Sequence, residues 1–206
     1  MILHLDAQLV VADKPAGLPS VPGRPAELHD CLWHRVRDIV PDALVVHRLD
    51  MATSGLMLFA RGIEVQRALS RAFAERRLDK RYVAVVAGQM PAAQGEIDLP
   101  LVADWPNRPR QRVDAERGKP SLTLYRVISE DKTSETARVE LEPRTGRSHQ
   151  LRVHLQAIGH PILGDELYAA DPWCSRTARL MLHASALGFE HPGTRGQVEF
   201  HSPPPF

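Results

Sequence analysis

The stretch that most constrains the fold is VVHRLDMATSGLMLFAR, Val45–Arg61, in which two apolar segments flank a short polar one. The apolar segments, Val45–Val46 and Leu56–Phe59, predict two strands, because aliphatic and aromatic residues favour a half-buried pleated surface. Asp50 lies in the polar segment between them and should therefore be near the sheet rather than at a distant loop tip. Residue chemistry leaves two interpretations open: Asp50 is an ordinary turn residue or a reactive carboxylate.

The remaining pattern predicts three helices, at Glu27–Val40, Ile63–Leu78 and Ser148–Ile158, from apolar residues at helical spacing. Further strands are predicted at Leu9–Ala12, Arg81–Ala87, Leu122–Val127, Ala137–Leu141, Met181–Phe189 and Val198–Phe200. The second helix is expected to turn four residues inward: Ala68, Leu69, Ala72 and Phe73. Runs of strands with a few helices favour an α+β fold with a mixed, mostly antiparallel sheet over alternating βαβ units.

Composition excludes several classes of protein. The longest apolar runs are only a few residues long, so no transmembrane helix is expected. The first residues lack the basic region and apolar core of a signal peptide, which predicts a cytoplasmic protein. The two cysteines, Cys31 and Cys174, form no CxxC pair, and Cys31 is expected to be a small buried side chain.

Positive charge is concentrated in three segments, although the whole chain carries a formal charge of only +1. Arg61–Arg81 has seven basic residues against three acidic ones, and Trp105–Arg126 has six against two. Arg144–His154 has three arginines, two histidines and no acid. Such segments suggest a surface that meets phosphates, and solvated arginines on helix faces are the alternative.

The third predicted helix combines several features of a binding site. A turn precedes it, Ser148 is a plausible N-cap, and the N–H groups at a helix start beside Arg147 suit a phosphate. Arg152 lies one turn into the helix, off its apolar stripe, and could reach a carboxylate. The alternative is a capped amphipathic helix with solvated arginines.

The sequence disfavours two other kinds of chemistry. His47, Asp50 and Ser54 are the residue types of a hydrolytic triad, but three residues in one turn cannot easily line up, and no Gly-x-Ser-x-Gly elbow occurs. His149 and His154 could suggest a metal-dependent hydrolase, but their spacing is not His-x-x-x-His and no carboxylate lies between them.

Tyr82 begins a predicted strand directly after Lys80 and Arg81. An aromatic side chain among basic residues can stack on a base, although a half-buried strand tyrosine is more common. Composition and spacing thus predict a cleft that binds phosphates around one carboxylate, and they give no further detail.

Four segments together resemble the motifs of RluA-type RNA pseudouridine synthases. They are KPAGLPSVPG, HRLDMATSGLMLFAR, RTGRSHQLRVHLQAIGHPILGDELY and LMLHASAL, which run in this order from Lys14 to Leu187. The resemblance implies the pseudouridine synthase catalytic fold: one domain over residues 1–206, with two subdomains around a central cleft and no S4 RNA-binding domain ahead of it. Asp13 is one departure, since Asn is more usual before the Lys-Pro pair.

The resemblance also implies a set of site residues. Asp50 would be the essential carboxylate, either attacking C1′ of the uridine or assisting departure of the base, and Arg152 would pair with it. Tyr82 would stack on the flipped uracil, and Arg48 would enter the RNA stack where that base had been. The other residues expected to contact RNA are His47, Lys80, Arg81, Arg108, Arg110, Arg147 and His149.

Substrate and partner expectations follow from the same resemblance. The segment DLPLVADWPNRPRQRV, Asp98–Val113, resembles family members that modify both tRNA and 23S rRNA. The implied targets are position 32 in the tRNA anticodon stem-loop and position 746 in a 23S rRNA stem-loop. No metal or organic cofactor, no membrane and no partner subunit is expected. The alternatives are a relative acting on another uridine or an RNA-binding protein without catalysis.

Overall fold

The computed structural model describes all residues, Met1–Phe206. It contains twelve strands, three α-helices and two short 3₁₀ segments. The strands are β1 Ile2–Leu5, β2 Leu9–Lys14, β3 Ala43–Val45, β4 Ser54–Arg61, β5 Asp79–Ala87, β6 Gln94–Asp98, β7 Leu101–Ala103, β8 Gln111–Val113, β9 Leu122–Asp131, β10 Thr136–Pro143, β11 Leu182–Glu190 and β12 Gln197–His201. The helices are α1 Leu32–Arg37, α2 Ile63–Ala74 and α3 Gln150–Ala157, and the 3₁₀ segments are Ala26–Leu28 and Trp105–Asn107.

The chain divides into two compact units: residues 1–80 with 183–205, and residues 81–182 with residue 206. In the first unit, β2 pairs antiparallel with β1 and β4, β3 pairs antiparallel with β4, and β12 pairs antiparallel with β11. The pairing of β4 with β11 is parallel. This combination confirms the predicted α+β fold with a mixed, mostly antiparallel sheet. None of the three helices is long and apolar enough to cross a membrane.

The central strand β4 is buried on both faces, which explains its nearly continuous apolar sequence. Leu56 and Leu58 pack on one side with Leu69 of α2, whereas Met57 and Phe59 pack on the other with Leu32 of α1. Successive strand side chains point to opposite faces of a sheet, so this one strand contributes to two cores.

The second unit is built on an antiparallel meander in which β10 lies between β5 and β9, and β9 also pairs with β6. The two short strands β7 and β8 form a separate hairpin. We call the segment Leu101–Val113 the arm. Its inner residues Leu101 and Val113 pack with Val153 of α3 and with Tyr168.

Each predicted helix is shorter in the structure. The segment predicted as one helix over Glu27–Val40 is a 3₁₀ turn followed by α1, which begins only at Leu32. Helix α2 ends at Ala74, because Arg76 adopts a positive φ of 58°, and Ala68, predicted to face inward, is exposed.

Helix α3 begins two residues later than predicted. Its N-cap is His149 in the left-handed region, rather than Ser148. Gly159 follows the helix with a φ of 87°, as predicted for a glycine that ends a helix. Cys31 is fully buried, as predicted.

Candidate active site and RNA-binding surface

Asp50 lies in a turn between β3 and β4 whose main chain is fixed from several sides. The side chain of Asp50 is half-buried, Leu49 before it is buried, and Arg48 is exposed. The Asp50 carbonyl accepts a hydrogen bond from the Thr53 N–H at 3.1 Å, which closes the turn. Exposure therefore alternates along this extended segment and presents Arg48 and Asp50 on the side opposite Leu49.

A buried hydroxyl fixes the residue between the arginine and the aspartate. Ser20 Oγ donates to the Leu49 carbonyl at 2.7 Å and accepts from the Leu49 N–H at 3.0 Å. A buried backbone group without a partner is costly, and here one side chain satisfies both groups of Leu49. The main chain beside Asp50 is thereby fixed without using the carboxylate.

Lys14 performs the same task on the other side of Asp50. Its side chain is fully buried, and its ammonium group donates to the carbonyls of Pro15, Leu18 and Met51 at 2.9, 2.7 and 2.9 Å. The Met51 carbonyl also accepts from the Gly17 N–H at 2.9 Å. A buried cation is stable only when its donors are satisfied, so these bonds hold the segment after β2 against the Asp50 turn.

The end of the turn is joined to β11 by a buried polar chain. Ser54 Oγ lies 2.8 Å from His183 Nδ1, and His183 Nε2 lies 3.1 Å from both the carbonyl and Oγ of Ser202. A carbonyl only accepts, which favours a proton on Nε2 of His183 and donation from Ser54 to Nδ1. Ser202 Oγ in turn donates to Asp13 at 2.8 Å. Ser54 therefore has a structural role, and the residues of the disfavoured hydrolytic triad do not line up.

Gly55 is required where β4 approaches β11. A Cβ added there would lie 2.3 Å from the Ala184 carbonyl oxygen, and the residue has a φ of 111°. The sheet can thus come close only at a residue without a side chain. This explains the glycine in the MATSGLM sequence.

His47 is neutral in this fold. Its ring stacks on Phe73 with centroids 4.6 Å apart, and its Nε2 accepts the Leu58 N–H at 2.9 Å. Burial, together with the positive charge of Lys80, lowers the pKa of His47 to about 3. Burial and the neighbouring Arg76 also lower the pKa of Lys80. The expected contact of His47 with RNA stays a prediction, but the ring offers a phosphate no positive charge.

In the second unit, Arg152 is held by a carboxylate that the sequence analysis did not single out. Its Nε and Nη2 each donate to Asp165 at 2.7 Å, and the two side chains are 5% and 0% exposed. Asp165 also accepts the N–H groups of Leu167 and Tyr168 at 3.0 and 3.1 Å. The Asp165 carboxylate thus stabilises the turn that follows it. Its two hydrogen bonds to Arg152 also orient the guanidinium group, as bidentate pairs do. The predicted pairing of Arg152 with Asp50 stays a prediction.

The sequence places Arg152 off the apolar stripe of its helix, with solvation of its side chain as one alternative, but α3 is buried on almost every side. The six residues from Gln150 to Leu155 are all buried. The signal that could have found Asp165 is a lone acid in the otherwise apolar run PILGD, because an aspartate there needs a buried partner.

A second buried network fixes the start of α3. Gln150 Oε1 accepts from Thr145 Oγ1 and from the Arg147 N–H, and its amide donates to Thr123 Oγ1 and the Leu122 carbonyl. The Arg147 N–H is therefore already bonded within the protein. The Arg147 guanidinium lies 3.4 Å from the Pro120 carbonyl. A phosphate at this helix start stays a prediction.

His149 and His154 have different partners. His154 Nε2 is 3.0 Å from the Leu99 carbonyl and its Nδ1 is 3.0 Å from Thr123 Oγ1. Because a carbonyl cannot donate, Nε2 carries the proton and Nδ1 accepts from the threonine, and burial lowers the pKa of His154. His149 Nδ1 lies 2.6 Å from the Tyr168 hydroxyl. The two rings therefore do not converge as metal ligands would.

The arm carries the exposed arginines predicted to contact RNA. Arg108 lies over the ring of Trp105, 4.1 Å from its centroid, and Trp105 is 64% exposed. Arg110 is exposed and lies 5.5 Å from the ring centroid of Tyr168. Tyr82 and Arg81 are half-buried at the start of β5, where Tyr82 is opposite Leu141. The structure thus brings Arg110, His149 and Arg152 together around one tyrosine.

The first unit has an anchored turn that carries Asp50, with the exposed Arg48 beside it. The second unit has the buried Arg152 and an arm with exposed basic and aromatic side chains. These are features of an enzyme that acts on a polyanion. Residues 8–157 match the family described as RNA pseudouridylate synthase. The chain belongs to this family and is an RNA pseudouridine synthase.

Individual relatives narrow the comparison. The dual-specificity RNA pseudouridine synthase RluA of Vibrio cholerae is 51% identical over 191 residues, which cover 93% of this chain and 77% of the relative. The proteins of the same name from Pasteurella multocida and Escherichia coli are 49% and 48% identical, cover all of this chain, and are covered to 93% and 94%.

Solved structures show the same fold. Human RNA pseudouridylate synthase domain containing 1 superposes with a TM-score of 0.82 at 29% identity, covering 100% of this chain and 83% of that chain. Human RNA pseudouridylate synthase domain containing 4 gives 0.79 at 27% identity, with 99% and 88% covered.

Proposed function

We propose that this synthase modifies two RNAs: the uridine at position 32 of a tRNA anticodon stem-loop and the uridine at position 746 of 23S rRNA. The observation that carries this proposal is near-complete coverage at 48–51% identity by relatives named dual-specificity synthases. The arm supports this proposal, because it forms most of Asp98–Val113, the segment in which the chain resembles family members that modify both RNAs. RNA of this kind is recognised by loop shape and flipped bases, which one protein can find in two RNAs.

The reaction that we propose is balanced without any added reagent. The C1′–N1 bond of uridine breaks, the uracil turns within the site, and C5 bonds to C1′. The proton on C5 is lost, N1 gains one, and nothing is oxidised or reduced. We propose that no cofactor takes part.

Asp50 is the carboxylate that we assign to this step, either by attack on C1′ or by assisting departure of the base. A glycosidase usually needs a second carboxyl group to protonate its leaving oxygen, whereas uracil can leave with its charge spread over its carbonyl oxygens. Water must be excluded, because the base has to recapture the same sugar. The backbone anchors of the Asp50 turn support this role, since they fix the main chain on both sides of a half-buried Asp50.

Tyr82 and Arg152 are the other two catalytic residues that we propose. Tyr82 would stack on the flipped uracil, and Arg152 would supply the positive charge that keeps the Asp50 carboxylate ionised. The two-pronged bond to Asp165 supports the second assignment, because it fixes the orientation of a buried guanidinium. Both assignments rest on the motif resemblance and on the setting of each residue in its own unit.

RNA contacts are proposed for the exposed basic residues first. Arg48 would fill the place vacated by the flipped base, which offsets part of the few kcal/mol that flipping costs. Arg108 and Arg110 on the arm would contact phosphates, with Trp105 as an exposed aromatic beside them. Contacts by the partly buried or already bonded residues are secondary proposals: His47, Lys80, Arg81, Arg147 and His149. We also propose that the protein acts as a monomer in the cytoplasm.

The test uses purified protein and two transcripts, a tRNA and a 23S rRNA fragment, each labelled with tritium at uracil C5. Release of tritium from both, with pseudouridine mapped at the two named positions, is the expected result. Matched transcripts with cytidine at the target position should release nothing at that position. Pseudouridine only at other positions would overturn the proposed substrates, and binding without any release would favour a non-catalytic RNA-binding protein.

A further inference from the structure

Tyr168 contacts three of the predicted site residues: Arg110, His149 and Arg152. It is 7% exposed and lies in the turn that Asp165 orders through the N–H groups of Leu167 and Tyr168. No role in catalysis or binding has been given to it. Its hydroxyl and its ring make different contacts, and the two can be separated by mutation.

The hydroxyl joins the arm to the start of α3. The Gln111 N–H, on the returning strand of the arm, donates to the Tyr168 oxygen at 2.8 Å. An amide can only donate, so the hydroxyl proton is available to His149 Nδ1, which lies 2.6 Å away. The hydroxyl thus bonds to both elements: it accepts from Gln111, and it shares with His149 Nδ1 a hydrogen bond whose direction depends on the His149 tautomer.

The ring of Tyr168 lies against two guanidinium groups. The Cζ atom of Arg152 is 5.1 Å from the ring centroid, and that of Arg110 is 5.5 Å away. Both distances fall within the range of a cation–π contact. Asp165 holds Arg152 through two hydrogen bonds, and the ring of Tyr168 is a further contact of the same guanidinium. One side chain therefore contacts an exposed arginine of the arm and the buried arginine of α3.

We propose that Tyr168 is a positioning residue that couples the RNA-contacting arm to Arg152. Its hydroxyl sets the position of the arm, and its ring sets the position of the arginine. This inference rests on the proposed roles of the arm and of Arg152. Under this proposal, contacts of Tyr168 set the position of RNA bound by the arm relative to Arg152.

Two substitutions separate the two tasks. Tyr168→Phe keeps the ring and removes the hydroxyl, so KM for the tRNA anticodon stem-loop should rise about tenfold, the size expected for loss of the hydrogen bond that holds the arm at Gln111. The value of kcat should stay within about twofold, because the ring still contacts Arg152. Tyr168→Leu removes the ring as well, and kcat should then fall by at least a further tenfold. A merely structural residue would not divide its effects between KM and kcat in this way.

Tyr125→Phe is the matched control, because Tyr125 lies in the same unit and is also 7% exposed but belongs to β9. It should change neither constant. Equal KM values for Tyr168→Phe and the wild type, in the same active preparations, would overturn the inference and leave the proposed function standing.

A double-mutant cycle tests the coupling itself. Arg108 is on the arm and stacks on Trp105 rather than on Tyr168. If the hydroxyl positions the arm, Arg108→Ala should raise KM less in the Tyr168→Phe background than in the wild type. Strictly additive effects would contradict coupling through Tyr168.

Hydrogen exchange gives a readout that does not depend on the identity of the RNA. The Gln111 amide should exchange faster in Tyr168→Phe, and it should be unchanged in Tyr125→Phe. Unchanged exchange at Gln111 would overturn the inference even if neither RNA proved to be a substrate. Faster exchange with no pseudouridine in either RNA would instead refute the proposed substrates alone.

Discussion

Asp50 and Arg152, the two charged residues assigned to catalysis, are held in different ways. The Asp50 turn is fixed through its main chain, by Ser20 on Leu49 and by Lys14 on the Met51 carbonyl. Arg152 is fixed through its side chain, by the two oxygens of Asp165. Main-chain anchors fix the backbone that carries the Asp50 carboxylate, whereas a side-chain ion pair orients the Arg152 guanidinium directly.

The largest expected effect comes from breaking the ion pair. Asp165→Ala should lower the free energy of unfolding by about 3–5 kcal/mol, because it leaves the buried charge of Arg152 without its two-pronged partner. Urea denaturation measures this change. Glu166→Ala next to it, at an exposed position, should cost no more than about 0.5 kcal/mol. If the two substitutions lowered the free energy of unfolding equally, the Arg152–Asp165 pair would not be the stabilising contact described above.

Removing the main-chain anchor on the other side should cost less. Lys14→Met takes the ammonium donor from three carbonyls and should lower the free energy of unfolding by about 3 kcal/mol, since buried unsatisfied acceptors are costly. The matched control is Lys132→Met, at an exposed turn position. Both variants can be compared by chemical denaturation, and a Lys14 variant as stable as the control would rule out this anchor.

The smallest expected effect is a pH dependence of the free energy of unfolding that comes from His47, three residues before Asp50. The pKa of His47 is about 3 in the folded protein against 6.5 for the free side chain, mainly through burial and then through Lys80. The unfolded chain therefore takes up the proton first, so this contribution is present above pH 6.5 and is lost as the pH falls towards 3. Between pH 7 and pH 5 the loss should be about 2 kcal/mol.

Thermal or urea unfolding at the two pH values measures this loss. His47→Gln keeps an acceptor for the Leu58 N–H but cannot titrate, so its loss over the same interval should be smaller by about that amount. An identical loss in both proteins would show that His47 is not the titrating group.

The sequence predicts what lies close together along the chain. Asp50, its turn and β4 are contiguous, and a polar segment followed by an apolar one predicts both the strand and a carboxylate just before it. The end of α3 at Gly159 is also predictable from the sequence, because glycine readily adopts the positive φ that ends many helices.

Contacts between distant segments could not be predicted in this way. The lone acid in PILGD indicates that Asp165 has a buried partner, but no local pattern indicates that this partner is Arg152 or that Tyr168 contacts the arm. Helix α3 was expected to be amphipathic, and its polar residues Gln150 and His154 are instead buried because Thr123 and Thr145 satisfy them. Burial of polar groups depends on partners that only the folded chain brings together.

The most direct test of the account is tritium release by Asp50→Asn from RNA labelled at uracil C5, measured together with its affinity for the same RNA. Because the Asp50 turn is anchored through Leu49, Met51 and Thr53, the asparagine should occupy the same place. RNA affinity should be retained, and tritium release should fall to background. Undiminished release from the Asp50→Asn variant would contradict the assignment of Asp50 as the catalytic carboxylate.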